Sequence, residues 1–189
     1  MGTKAVIIVP SQGKHASIFK DVAKSLKFKV YANEAVVVET TVRNVWGKLI
    51  VTFSTLDGKS FSWTEASNLD RVLTISHAGF CDGPNLASEE GGYQPWGSLA
   101  CDATLSVEGA KFWAAIGKAL KAGGKIILLG CSMGEGLYGQ AVANVSKRST
   151  YASNGLFAAG DEPVALKYVK AIEKGLVIPP MKRFDPEKT

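Results

Sequence analysis

Three short apolar runs constrain this chain more than any other feature. Lys4–Val9 (KAVIIV), Arg71–Ser76 (RVLTIS) and Lys125–Leu129 (KIILL) are continuous rather than alternating in hydropathy. A strand that reads this way is covered on both faces, which is the condition of a parallel sheet between helical layers. Helical patterns lie between the runs. Over 16–26, Ile18, Phe19, Val22 and Leu26 share one face while Lys20, Asp21 and Lys24 lie off it. Ser106 is placed to cap a helix over 107–121, with Gly123 and Gly124 to stop it. Further helices are expected around 137–147 and, after Asp161-Glu162-Pro163, over 164–174.

Strand is also expected in 36–42. The segments 48–53 and 60–63, joined around Asp57-Gly58, read as a β-hairpin. The expected fold is therefore α/β: a three-layer sandwich with a mostly parallel sheet, helices on both faces and a hairpin insertion. A chain of 189 residues, 46% hydrophobic and 21% charged, suits one folded domain over residues 1–180, followed by a polar tail over 181–189.

The apolar stretch Ala5–Val9, closed by Pro10, is too short for a signal-peptide core or a membrane span. Val6 occupies the position where myristoylation requires Ser or Thr, and the C-terminus has no lipidation pattern. The expectation is a protein with free thiols that is cytoplasmic or exported by a signal-independent route, with no membrane partner. Lys14, Lys20, Lys24, Lys27 and Lys29 have no interleaved aromatics, so they read as a solvated face rather than a nucleic-acid footprint.

In open α/β sheets, chemistry collects beyond the carboxyl ends of the strands. Two such ends carry reactive groups: Ser76-His77-Ala78-Gly79, and Gly130-Cys131-Ser132-Met133-Gly134. The second matches the G-x-S-x-G elbow of serine hydrolases, with Ser132 as nucleophile. That fold needs a histidine after the serine, and the chain's two histidines are His15 and His77. Gly134-Glu135-Gly136-Leu137-Tyr138-Gly139 has the G-x-G-x-x-G spacing of dinucleotide sites, but it starts past the strand end and leaves about one βα unit to follow. Gly13-Lys14 lacks the leading glycine and the following Ser or Thr of a P-loop.

A cysteine–histidine pair is the third reading. Cys131 would be the nucleophile, its thiolate favoured by a following helix N-terminus. His77 would take the thiol proton and pass it to the leaving amine. Backbone N–H groups of Gly79 and Cys131 would hold the oxyanion. Cys81 and Cys101 form no C-x-x-C pair with each other or with Cys131, so no metal and no cofactor is expected. His15 reads as a surface residue.

A strand ending Ser-His-x-Gly, followed roughly fifty residues later by a strand ending Gly-Cys, resembles the caspase-like cysteine peptidases: caspases, gingipains, separases and related bacterial domains. The nearest likeness is to a caspase-like domain of large bacterial surface proteins, which carries segments similar to RVLTISHAG, ALKAGGKIILLGCSMGEG and a short strand like Tyr151-Ala152-Ser153. It covers roughly residues 70–160. The resemblance implies a clan CD cysteine endopeptidase acting on a peptide or protein through a Cys131–His77 dyad. Two departures stand out: Leu129-Gly130 precede the cysteine where caspases have Gln-Ala, so Asp specificity is not implied, and Ala78 separates His77 from Gly79. The second departure keeps open a domain of this fold that binds without turnover.

Residues 78–110 contain Asp82, Glu89, Glu90, Asp102 and Glu108 and no Lys or Arg. The chain's net +5 is thus a −5 segment, beginning behind His77, on a +10 remainder. An acidic rim there would favour Lys or Arg before the scissile bond, with Asp82 the expected contact. Tyr93 and Trp96 would line apolar subsites, with Gln12 and Ser132 also in substrate contact. Oligomeric state is open.

Overall fold

The computed structural model describes residues 3–46, 48–78, 83–85 and 105–188. In chain order the elements are β1 (Ala5–Pro10), α1 (Ala16–Lys29), β2 (Ala35–Val45), β3 (Lys48–Thr55), β4 (Leu69–Ile75), α2 (Val107–Ala119), β5 (Leu120–Leu129), α3 (Tyr138–Ser146), β6 (Ser149–Ser153), α4 (Glu162–Glu173) and β7 (Met181–Phe184). Over the described residues the sheet has seven strands in the order β3-β2-β1-β4-β5-β6-β7. The pairings from β2 through β6 are parallel, and β3 and β7 join antiparallel at the two edges.

The three apolar runs are the buried centre of this sheet. Ala5 to Val9 are all fully buried, because alternate residues serve opposite cores. Ala5, Ile7 and Val9 pack with Leu73, Ile75, Ile127 and Leu129 against α1 and α4. Val6 and Ile8 pack with Val72, Ile126 and Leu128 against α2 and α3, around Phe112, Trp113, Ile116 and Val142. Each of the Val, Leu, Ile and Phe side chains among them contributes about 1.5–3 kcal/mol by leaving water. The buried Trp113 indole donates to the Tyr138 hydroxyl at 2.9 Å, so joining α2 to α3 leaves neither polar atom unpaired. Burial pushes the Tyr138 phenol far up.

Three details depart from the expectations. The hairpin is β2–β3, one segment earlier than expected, and its turn passes through Trp46 at φ 53°. The expected Asp57-Gly58 turn is present too, with Gly58 at φ 81°, and the segment after it bonds back to β3 through the Thr55 N–H to the Lys59 carbonyl at 2.8 Å, the Phe61 N–H to the Phe53 carbonyl at 2.9 Å and the Ser54–Ser60 bridge. This pairing stops at Phe61, so 60–63 adds no further strand to the sheet.

The helix expected to run to 121 ends at Ala119. Leu120, buried in the core, begins β5 and pairs with Leu69. The register then jumps to Arg71–Lys125, so Lys121–Gly124 bulge out, with Gly123 at φ 76°. Finally, 181–184 is not tail. Met181 is buried, and Met181–Phe184 pair with Thr150–Ser153.

The sheet has one reversal point. β1 lies between β2 and β4; the helix after β1 covers one face, and the helix after β4 covers the other. The connections therefore part at the carboxyl ends of β1 and β4, which leaves a crevice there.

Candidate active site

Register brings His77 and Cys131 to the same level. Ile75 pairs with Leu129 as the last rung of β4–β5, and the Ser76 N–H then donates to the Leu129 carbonyl at 3.2 Å. His77 and Cys131 each follow two residues beyond that rung. Gly130 stands where the two chains come closest: a Cβ there would lie 2.8 Å from the Ser76 carbonyl oxygen and 2.8 Å from Met133 Cε. Any side chain at 130 would force the two strand ends apart. The backbone of His77 is anchored on its other side, where its carbonyl accepts the Asn85 N–H at 2.8 Å and the Ser76 hydroxyl at 2.9 Å.

Both side chains open on a cleft of about 410 Å³, together with His15, Phe19, Phe157 and Asp161. The His77 ring lies between His15 and Phe19. Its Nε2 is 2.9 Å from His15 Nδ1, and Phe19 meets it edge-on with ring centroids 5.1 Å apart. The half-buried Cys131 thiol donates to the Phe157 carbonyl at 3.5 Å and accepts the Phe157 N–H at 3.4 Å. The loop between β6 and α4 thus forms the wall opposite α1. Asp161 caps α4 from this wall, accepting the Val164 N–H at 3.1 Å.

The residues after Cys131 turn before any helix begins. Ser132 donates its N–H to Gly155 and Gly134 donates to Ser153, strapping the loop to the end of β6. A Cβ on Gly134 would come within 2.8 Å of the Ala152 carbonyl oxygen, so this strap too needs glycine. Because α3 starts only at Tyr138, Cys131 is not part of its first turn, and the expected help from a helix dipole at the strand end is not built into the chain here. The Phe157 N–H on the sulfur supplies a local donor instead.

Of the other expected site residues, Ser132 has the left-handed φ of 56° that a nucleophile elbow requires, yet it is not among the residues lining the cleft. Gln12 is exposed on the β1–α1 loop and likewise does not line it. Gly79, Asp82, Tyr93 and Trp96 lie outside the described residues, as do Cys81 and Cys101. Among the described residues no group of three or more His, Cys, Asp or Glu side chains is arranged to hold a metal ion, and no helix is long and apolar enough to cross a membrane.

His15, Phe157 and Asp161 were not expected in the site. The strand-end rule, applied to β1 and β6 as well as β4 and β5, points to all three. His15 follows β1 and replaces the surface role first read for it, while Phe157 and Asp161 follow β6.

No protein-family model matches the chain, and no curated protein sequence matches it. Among solved structures, it is similar to a secreted C11 cysteine protease from Bacteroides thetaiotaomicron called iotapain, at 12% identity and a TM-score of 0.47, over 94% of this chain and 60% of that one. A secreted C11 cysteine protease from the same organism, in complex with an irreversible peptide inhibitor, is similar at 12% identity and a TM-score of 0.41, over 91% of this chain and 54% of that one. The chain thus spans little more than half the length of these proteins.

Proposed function

We propose that the chain is a caspase-like cysteine endopeptidase in which Cys131 is the nucleophile and His77 the general acid and base. The observation that carries this reading is the placement of the two side chains in register at the ends of adjacent parallel strands, on one cleft at the reversal point of the sheet. His77 accepts the thiol proton as Cys131 Sγ attacks the scissile carbonyl carbon, and the imidazolium returns that proton to the leaving amine. The thioacyl-enzyme is then hydrolysed by water that His77 deprotonates, and the proton goes back to sulfur. The Phe157 N–H donates to the sulfur at 3.4 Å and fixes its position on the cleft wall. The Phe157 carbonyl holds the thiol proton at rest and must release it on attack.

In this reading the N–H groups of Gly79 and Cys131 hold the oxyanion, and Asp82, Gln12, Ser132, Tyr93 and Trp96 contact the substrate. Asp161, on the cleft wall, adds a carboxylate that agrees with Lys or Arg before the scissile bond. The resting contact of the thiol with Phe157 favours one second reading, a domain that binds peptides without cleaving them. Fluorogenic peptides with Arg, Lys, Asp or Leu before the scissile bond decide between them. The peptidase reading expects turnover of the Arg and Lys peptides that is absent in Cys131→Ala. Peptide binding with no turnover by either chain supports the binding module, and preference for Asp or Leu removes the basic specificity.

A further inference from the structure

The geometry points to His15 as a positioning residue for the base: its Nδ1 accepts the Nε2–H of His77, which leaves Nδ1 of His77 bare to take the Cys131 proton. The inference rests on the reading of His77 as that base and adds the group that sets its tautomer.

The argument begins with α1. His15 is the residue before the helix, and the Phe19 N–H donates to its carbonyl at 3.0 Å, which closes the first turn. Residues four apart share a helix face, so both rings reach the same neighbour. That neighbour is His77, with ring centroids 5.1 Å from His15 and 5.1 Å from Phe19. The turn leading to His15 is itself held: the Ser11 N–H donates to the Thr40 carbonyl at 3.1 Å, and the Ala16 N–H to the Gly13 carbonyl at 3.2 Å.

A contact of 2.9 Å between two imidazole nitrogens holds one proton, so one ring donates and the other accepts as a neutral base. Were His15 the donor, neutral His77 would carry its proton on Nδ1 and have no lone pair left for the thiol. With His77 the donor, Nδ1 is the free base. The bond then persists when Nδ1 takes a proton, and it strengthens because the donor has become a cation. This is the part played by the third member of a catalytic triad, which fixes the tautomer and steadies the imidazolium. His15 performs it only while neutral. Among the described residues, the titratable groups that share the cleft with His15 are His77 after β4, Cys131 after β5 and Asp161 on the β6–α4 loop.

The test uses the intact chain labelled with ¹⁵N. Two histidines give two ring systems, so the imidazole spectrum is assigned by one substitution. The expected result at neutral pH is His77 protonated on Nε2 and bare on Nδ1. His15→Asn, whose Oδ1 can stand where Nδ1 stood, retains that tautomer. His15→Leu produces a mixture and slows alkylation of Cys131 by iodoacetamide on the order of 10-fold, while His15→Asn restores most of the rate. A wild-type His77 protonated on Nδ1 overturns the inference. So does His15→Leu with unchanged tautomer and rate, or failure of His15→Asn to restore what His15→Leu loses. If the tautomers behave as expected but wild-type Cys131 reacts no faster than in His77→Ala, the peptidase reading fails while the His15 contact stands.

Discussion

The two ends of the sheet carry cavities whose size and chemistry run in opposite directions. At the amino-terminal end, about 600 Å³ opens between Lys4, Val36, Phe61, Glu65 and Leu69, and its lining includes no histidine or cysteine. At the carboxyl end, a smaller cleft gathers His15, His77 and Cys131 from the ends of three neighbouring strands. Charges at the amino end are spent on the fold. Lys4 pairs with Glu34, and Lys121 with Asp70. The Glu34 carboxylate raises the Lys4 ammonium above its ordinary range. Strand polarity, rather than volume, decides where reactive groups meet, because β1, β4, β5 and β6 all run parallel and all end on one side.

The sharpest break of this comparison is one substitution at each end. Cys131→Ala is expected to lower peptide turnover on the order of 10³-fold or more, whereas Glu65→Gln in the larger cavity leaves it within about 2-fold; kcat/KM on an Arg peptide measures both. A reversed pattern would move the site to the other end.

Glycines within and just after β5 sharpen the contrast. Gly130→Ala drives a methyl into the Ser76 carbonyl, and it is expected to cost about 1–3 kcal/mol and to reduce turnover as His77 and Cys131 separate. Gly123→Ala, in the open bulge with nothing within 4 Å, pays only its left-handed φ, about 1–2 kcal/mol, and leaves turnover unchanged. Denaturant melts and turnover on the same preparations separate the two effects.

The smallest effect concerns the clamp between α1 and α4, whose facing helices flank the cleft. Glu162 accepts from Ser25 and from Lys29, and those hydrogen bonds, with the Lys29 charge, hold its carboxyl below the ordinary range. Its folded-state value is depressed, so its contribution is complete above the unfolded value of about 4.3 and fades as pH falls through the lower folded one. Glu162→Gln is expected to remove this part of the acid-induced fall in Tm, a shift smaller than that of either glycine variant.

Much of this was legible in the sequence, for a physical reason. A strand buried on both faces must be apolar throughout, so KAVIIV, RVLTIS and KIILL announce both themselves and the helical layers. The chemistry then sits where those runs stop. The Asp57-Gly58 turn is where the sequence puts it, with a short pairing after it, but the longer β2–β3 hairpin was not legible, because its turn uses Trp46, a bulky residue at positive φ that no turn rule favours. The start of β5 was hidden because Lys118–Ala122 has helical composition, and only the Leu120–Leu69 pairing makes it strand. His15 was missed for a different reason. Its role depends on β1 lying beside β4, which brings the residue before α1 to His77, a fact of strand order that a local pattern does not contain.

The central claim is that Cys131 is activated by His77, and site-resolved alkylation measures it directly. Native protein treated briefly with iodoacetamide at neutral pH and mapped by mass should carry the label at Cys131 ahead of Cys81 and Cys101, and His77→Ala should abolish that preference. Equal labelling of the three cysteines, or a Cys131 preference untouched by His77→Ala, would contradict it.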